Sequence, residues 1–61
     1  MKAVIKLTTE HHEEILIGVT SIIDVKHFET NGMTRVQSVG AMVTTNWVLQ
    51  SVEEIYEQIN S

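Results

Sequence analysis

Residues 51–60, at the C-terminal end of the sequence, place the strongest constraint on how this chain can fold. Ser51 is a favoured N-cap residue, and Glu54 follows it at the spacing of a capping box. The apolar residues after the cap recur at helical spacing: Val52, Ile55, Tyr56 and Ile59. A helix this short is not stable alone in water, so its apolar stripe must pack on a sheet or on a second copy of the chain. The sequence therefore predicts a short, docked helix over residues 52–60.

The rest of the chain has the composition of a sheet. Val, Ile and Thr together supply 22 of 61 residues, and there is no proline. Such β-branched residues fit pleated strands and are stiff in helices. Alternating patterns predict five strands: Ala3–Leu7, Glu14–Val19, Ile22–Glu29, Thr34–Val39 and Met42–Leu49. The Asn31-Gly32 pair between the third and fourth strands is typical of a type I′ hairpin turn.

These elements predict one small domain over residues 1–61. It is mainly β, with a sheet over residues 3–49 and one C-terminal helix, in the order β-β-β-β-β-α. The sheet is expected to form a five-stranded antiparallel meander or a small open barrel.

The small size of the chain favours self-association. A domain of 61 residues buries only about 60% of the surface of its unfolded chain. The absence of cysteine excludes disulfides and thiolate metal sites as additional stabilisation. We therefore expect a dimer or higher oligomer. The long fifth strand suggests that subunits pair along its exposed edge.

Charge and hydropathy restrict the partners and the location. The net charge is −4, and the predicted helix contributes Glu53, Glu54 and Glu57 without a base. No cluster of Lys and Arg resembles a nucleic-acid-binding surface, so no nucleic-acid polymer is expected as a partner. No apolar run approaches the length of a membrane helix, and the N-terminus does not resemble a signal peptide. The expectation is a cytoplasmic protein in a reducing compartment, without a membrane partner.

The run His11-His12-Glu13-Glu14 contains possible zinc ligands, and His27 on a neighbouring strand could supply another. Adjacent strand residues point to opposite faces, so the four cannot converge on one ion without a special loop. The helical His-x-x-x-His spacing is also absent. A solvated hairpin loop is the favoured interpretation, and no metal or other cofactor is predicted.

No pattern indicates an enzyme. None of the four serines lies in a Gly-x-Ser-x-Gly elbow, and no glycine-rich phosphate loop is present. No pair of carboxylates lies in an apolar setting that would separate their acidities. The chain is therefore predicted to be non-enzymatic, with no catalytic residues.

The region around Trp47 is the candidate ligand-binding site. Arg35 is the only arginine and could bind a phosphate bidentately, although a cross-strand pair with Asp24 or Glu29 is the structural alternative. Trp47 and Tyr56 could pack the helix onto the sheet, or they could form an oligomer interface or stack on a ligand. The predicted site consists of Arg35, Thr44, Thr45, Asn46, Trp47 and Tyr56.

Four short segments follow a common pattern: Val4-Ile5-Lys6-Leu7, Glu14-Ile15-Leu16-Ile17, Ile22-Ile23-Asp24-Val25 and Gln50-Ser51-Val52-Glu53-Glu54-Ile55. In this pattern the chain resembles the small flagellar FlbD-like and swarming-motility SwrD-like proteins, and short phage proteins of similar plan. The last hairpin, Arg35 to Leu49, is longer than in that pattern and lacks a tight Asn-Gly turn. The resemblance implies a small accessory protein that acts by binding, with no catalytic residues.

Together these features predict a small oligomeric binding protein of bacterial or phage type. It would capture a protein partner or a small nucleotide-like ligand stoichiometrically. One alternative is a phage-encoded, anti-defence sponge that sequesters a nucleotide signal, and another is a flagellar or swarming accessory protein. A metal-dependent enzyme built on the His11–Glu14 loop is the remaining alternative.

Overall fold

A computed structural model describes all residues, 1–61, and shows a mainly β protein with one C-terminal helix. The elements follow the predicted order, with bounds β1 (Val4–Thr8), β2 (Glu14–Gly18), β3 (Ile22–Phe28), β4 (Met33–Val39), β5 (Val43–Val48) and α1 (Val52–Ile59). All strand pairs are antiparallel. The strands form a two-stranded sheet, β1-β2, and a three-stranded sheet, β3-β4-β5, rather than one continuous meander, and they do not close into a barrel.

The β1–β2 hairpin turns through the histidine-containing loop. Thr9 N–H donates to the Glu13 carbonyl at 2.8 Å, and His12 N–H donates back to the Thr9 carbonyl at 2.9 Å. His12 has a φ of 62°, a left-handed conformation in which histidine is enriched among non-glycine residues. Lys6 and Glu14 form a surface ion pair at 3.2 Å on this hairpin.

A single 3₁₀ turn, Val19–Ser21, leads from β2 into β3, where the side-chain alternation is interrupted. The β3–β4 register shifts between Ile22 and Asp24, which leaves Ile23 as an extra residue that is 55% exposed. Because of this bulge, Ile22 and Val25 both pack against the core although they are three residues apart. Strict alternation from the sequence places them on opposite faces.

The β3–β4 connection is a hairpin, but its turn is longer than the sequence predicts. Phe28 pairs with Met33, so four residues form the loop. Only Gly32 has a positive φ, at 70°, whereas a two-residue type I′ turn needs positive φ at both central positions. The Asn31 side chain instead accepts a hydrogen bond from Met33 N–H at 3.0 Å. The Asn-Gly pair thus marks the correct hairpin but forms a different turn.

The two sheets meet where the end of β1 reaches the end of β5. Leu49 N–H donates to the Thr8 carbonyl, and Glu10 N–H donates to the Trp47 carbonyl, both at 2.9 Å. An isolated bridge joins Thr9 and Val48 between them. The C-terminal part of β5 is therefore paired within the chain, which limits the free edge that the sequence assigned to subunit pairing.

The helix begins with the predicted capping box. Glu54 N–H donates to Ser51 Oγ at 3.1 Å, and Ser51 N–H donates to Glu54 Oε1 at 2.9 Å. Ile55 is 1% exposed in the core, and Ile59 packs beside it. The other half of the stripe is not covered, because Val52 is 39% and Tyr56 is 68% exposed.

One hydrophobic core lies between the two sheets and the helix. Its buried apolar side chains come from both sheets and from α1: Ile5, Leu7, Ile17, Val36, Val48 and Ile55. The helix crosses the junction between the sheets, since it packs on both β1 and β3. Val36 and Val48 therefore define the inner face of the three-stranded sheet, and the residues next to them in β4 and β5 lie on its outer face.

Candidate functional site

Arg35 lies at the centre of the outer face of the three-stranded sheet. The register aligns it with Lys26 on β3 and with Trp47 on β5, one residue from each strand. Arg35 Nη2 donates to Asp24 Oδ2 at 2.8 Å, which confirms the cross-strand pairing that the sequence offered as the structural alternative. The Arg35 side chain is 27% exposed, so the guanidinium is held in a defined position at the surface.

Both cations lie over the ring of Phe28, which in turn packs against Trp47. Phe28 and Trp47 make an edge-to-face pair with ring centroids 5.2 Å apart and an interplanar angle of 69°. Arg35 Cζ lies 5.0 Å from the Phe28 centroid, and Lys26 Nζ lies 5.2 Å from it. Edge-to-face pairs and cation–π contacts at these distances each contribute about 0.5–1 kcal/mol at exposed sites. We call Asp24, Lys26, Phe28, Arg35 and Trp47 the outer-face cluster.

The outer-face cluster is locally positive on an acidic protein. It contains two of the four basic residues of the chain, Lys26 and Arg35, against the single carboxylate of Asp24, whereas the whole chain carries −4. Arg35 Nε is buried and has no hydrogen-bond partner. An unpaired buried donor costs free energy, so the stacking and ion-pair contacts of Arg35 must offset that cost. This arrangement can present a fixed cation and aromatic edges to an anionic or acidic surface.

The structure brings only part of the predicted site together. Arg35, Thr45 and Trp47 share the outer face, and Gln37 Nε2 donates to Thr45 Oγ1 at 3.5 Å beside them. Thr44 and Asn46 alternate with these residues along β5 and lie on the opposite face. Tyr56 projects from α1. The six predicted residues therefore do not converge on one ligand-sized site.

The proposal that Trp47 and Tyr56 pack the helix onto the sheet does not hold. Trp47 packs against Phe28 on the outer face, whereas the helix docks through Ile55 on the inner side. Tyr56 is 68% exposed. Sequence reasoning also missed Phe28 as a member of the cluster. Its two-residue spacing from Lys26, which puts both on one strand face, was the available signal.

The histidines remain apart from this face. His11 and His12 lie in the β1–β2 loop, where His11 Nε2 is 3.7 Å from Glu10 Oε1. His27 is exposed on β3. The structure contains no group of three or more His, Asp or Glu side chains arranged to hold a metal ion.

Two concavities lie away from the outer-face cluster. One of about 400 Å³ lies between β2 and the β4–β5 turn, with Leu16, Met42 and Thr44 in its lining. The other, of about 140 Å³, is lined only by apolar residues of β3 and α1: Val25, Val52, Ile55, Tyr56 and Ile59. Neither includes Arg35 or Trp47. The outer-face cluster thus lies outside both concavities.

No helix of the protein has both the length and the apolar character needed to cross a membrane. Comparisons of the chain with protein-family models, with curated proteins and with solved structures find no match.

Proposed function

We propose that this protein is a non-enzymatic binding protein that captures an acidic protein surface stoichiometrically through its outer-face cluster. The observation that carries the proposal is the Phe28–Trp47 pair with Arg35 placed over the Phe28 ring and held by Asp24. Trp and Arg are the residues most enriched among the side chains that dominate binding energy at protein interfaces. Here both are positioned by strand pairing before a partner arrives, which lowers the entropic cost of binding.

The position of the cluster outside both concavities favours a protein over a small molecule as the partner. Small ligands usually bind in concave sites that cover most of their surface. The two concavities of this protein contain neither Arg35 nor Trp47. A flagellar or swarming accessory protein, as the sequence resemblance implies, would be one case of such capture. A nucleotide sponge would instead need a site that encloses the base.

A binding experiment with matched variants tests this proposal. Immobilised wild-type protein is incubated with bacterial extract, and the bound protein is identified and titrated against purified chain by calorimetry. We expect Trp47→Ala to weaken binding by about 2 kcal/mol or more, as at other interface hot spots. Arg35→Lys keeps the charge but loses the planar, stacked guanidinium, so it should also weaken binding.

Met42→Ala is the matched control, because Met42 is 74% exposed but lies on the concavity beside β2, away from the cluster. Circular dichroism establishes that each variant is folded. Equal affinity of wild type and the folded Trp47→Ala variant would refute the proposal. A thermal shift with a nucleotide panel, abolished by the same substitutions, would favour the sponge instead.

A further inference from the structure

The outer edge of β3 is an uncovered strand edge. β3 ends the three-stranded sheet and pairs only with β4. Residues 23–27 make no backbone hydrogen bond to any element other than β4. The edge of β1 that faces away from β2 is covered, because the side chains of Gln50 and Gln58 hydrogen-bond to its backbone at Thr8 and Lys6. An edge left open in this way is a template for another strand.

An apolar surface continues from this edge onto the helix. Val25 of β3 and the α1 residues Val52, Tyr56 and Ile59 line the smaller concavity, which contains no polar lining residue. Val52 and Tyr56 are the exposed half of the helical stripe, at 39% and 68% exposure. A strand added to β3 would therefore bring its inward-facing side chains against an apolar groove.

The sequence of β3 is complementary to itself in the antiparallel direction. If two copies of β3 pair about a two-fold axis at Val25, Asp24 lies opposite the partner's Lys26, and Lys26 lies opposite the partner's Asp24. Asp24 and Lys26 are two residues apart on β3 and pair with Gln37 and Arg35 of β4, so both side chains lie on the outer face. Opposite charges at directly facing positions stabilise antiparallel strand pairs, and like charges destabilise them.

We propose that two copies of this chain form a dimer by antiparallel pairing of their β3 strands about a two-fold axis at Val25. The contact is isologous, so the same strand and groove serve both copies, as a two-fold interface requires. Val25 meets its counterpart on the inner face, where the Tyr56 and Val52 side chains cover the joint. The two three-stranded sheets become one sheet of six strands.

The dimer would also affect the capture of a partner, and this part of the inference rests on the proposed function. A joined sheet presents two outer-face clusters on one surface. A partner with two acidic sites would then be held bivalently, and the second contact would form at a high effective concentration. The dimer itself does not depend on any partner, so its test uses the purified chain alone.

Charge-swapped variants test the dimer directly. Asp24→Lys and Lys26→Asp each place like charges opposite each other at both symmetry-related pairs. Each should weaken self-association by about tenfold or more, because two favourable pairs become repulsive. Mixing the two variants restores opposite charges at both pairs, so the mixture should form a heterodimer. Sedimentation equilibrium and native mass spectrometry measure the masses across micromolar concentrations.

The controls separate folding from association. Circular dichroism of each variant alone verifies the fold, and Glu13→Lys makes the same charge change as Asp24→Lys on the exposed β1–β2 loop, where dimerisation should be unaffected. We expect two-chain masses for wild type, Glu13→Lys and the mixture, and one-chain masses for each swapped variant alone. A monomeric wild type, dimeric single variants, or folded variants that stay monomeric when mixed would overturn the dimer. These masses are measured on the purified chain without a partner, whereas capture is tested with the Trp47 and Arg35 variants, so failure of one proposal is distinguishable from failure of the other.

Discussion

At the scale of single residues, the side chains of two glutamines hydrogen-bond to the edge of β1 in place of a neighbouring strand. Gln58 Oε1 accepts from Lys6 N–H at 2.6 Å, and Gln58 Nε2 donates to the Lys6 carbonyl at 3.1 Å. Gln50 Oε1 likewise accepts from Thr8 N–H at 2.9 Å, but Gln50 Nε2 donates to the side-chain Oγ1 of Thr8 at 3.2 Å. A side-chain amide has one acceptor and one donor group, so it can pair with a strand edge as a neighbouring peptide does. These residues fix where the helix lies along β1.

Replacement of Gln58 tests this function of the side-chain amide. We expect Gln58→Ala to lower the free energy of unfolding by about 1 kcal/mol, since two partly exposed hydrogen bonds to backbone are lost. The amide of Lys6 should exchange with deuterium faster, while amides of β4 change little. Urea unfolding and hydrogen exchange measure the two effects, with Glu57→Ala as the neighbouring exposed control. Unchanged protection at Lys6 would show that another group covers this edge.

At the scale of elements, the helix is divided between two roles. Ile55 is buried at 1% exposure and Ile59 packs beside it, so this side of α1 closes the core across the sheet junction. Val52 and Tyr56 belong to the same apolar stripe but remain at the surface beside β3. A single copy of the chain therefore uses only half of the stripe that the sequence provides.

Truncation of a buried side chain of α1 should lower the free energy of unfolding. Ile55→Ala should destabilise the protein by about 2–5 kcal/mol, because it removes a fully buried aliphatic side chain and leaves a cavity. Thermal or urea unfolding followed by circular dichroism measures the change. Glu53→Ala, on the exposed side of the first helical turn, should change stability by no more than about 0.5 kcal/mol. A loss below about 1 kcal/mol for Ile55→Ala would mean that α1 contributes little to the core.

At the scale of the whole molecule, the chain is compact but its core is small. The radius of gyration is 10.8 Å, close to the value of about 10.5 Å that its length predicts for a folded domain. Only six apolar side chains are fully or nearly buried, while ten large apolar side chains are exposed. A single copy can therefore fold, yet it leaves much apolar surface for association.

This balance predicts a stability that depends on protein concentration. If the β3 dimer forms, the urea midpoint of wild type should rise with chain concentration, because association stabilises only the folded state. The Lys26→Asp variant should have a midpoint that does not change between about 1 and 100 µM, since a monomer has no such linkage. Circular dichroism in cells of different path length measures both. A wild-type midpoint independent of concentration would contradict association over this range.

Local patterns in the sequence determined the elements but not the turns between them. Ile5, Leu7 and Ile17 alternate along their strands, and the structure confirms them as buried. The Ser51–Glu54 capping box also forms as expected, because its two residues are only three positions apart in the sequence. The prediction of a type I′ turn at Asn31-Gly32 was wrong, since the length of the loop depends on the β3–β4 register rather than on the dipeptide alone.

The sequence by itself therefore determined the mainly β class, the closing helix and the buried faces of β1, β2 and α1, since these follow from periodicity along neighbouring residues. Only the tertiary structure decided which residues share a surface. The bulge at Ile23, the split into two sheets and the register of three strands place Phe28 beside Arg35 and Trp47, and they separate Tyr56 from them. Such juxtapositions depend on contacts between distant segments, for which a single sequence carries no periodic signal.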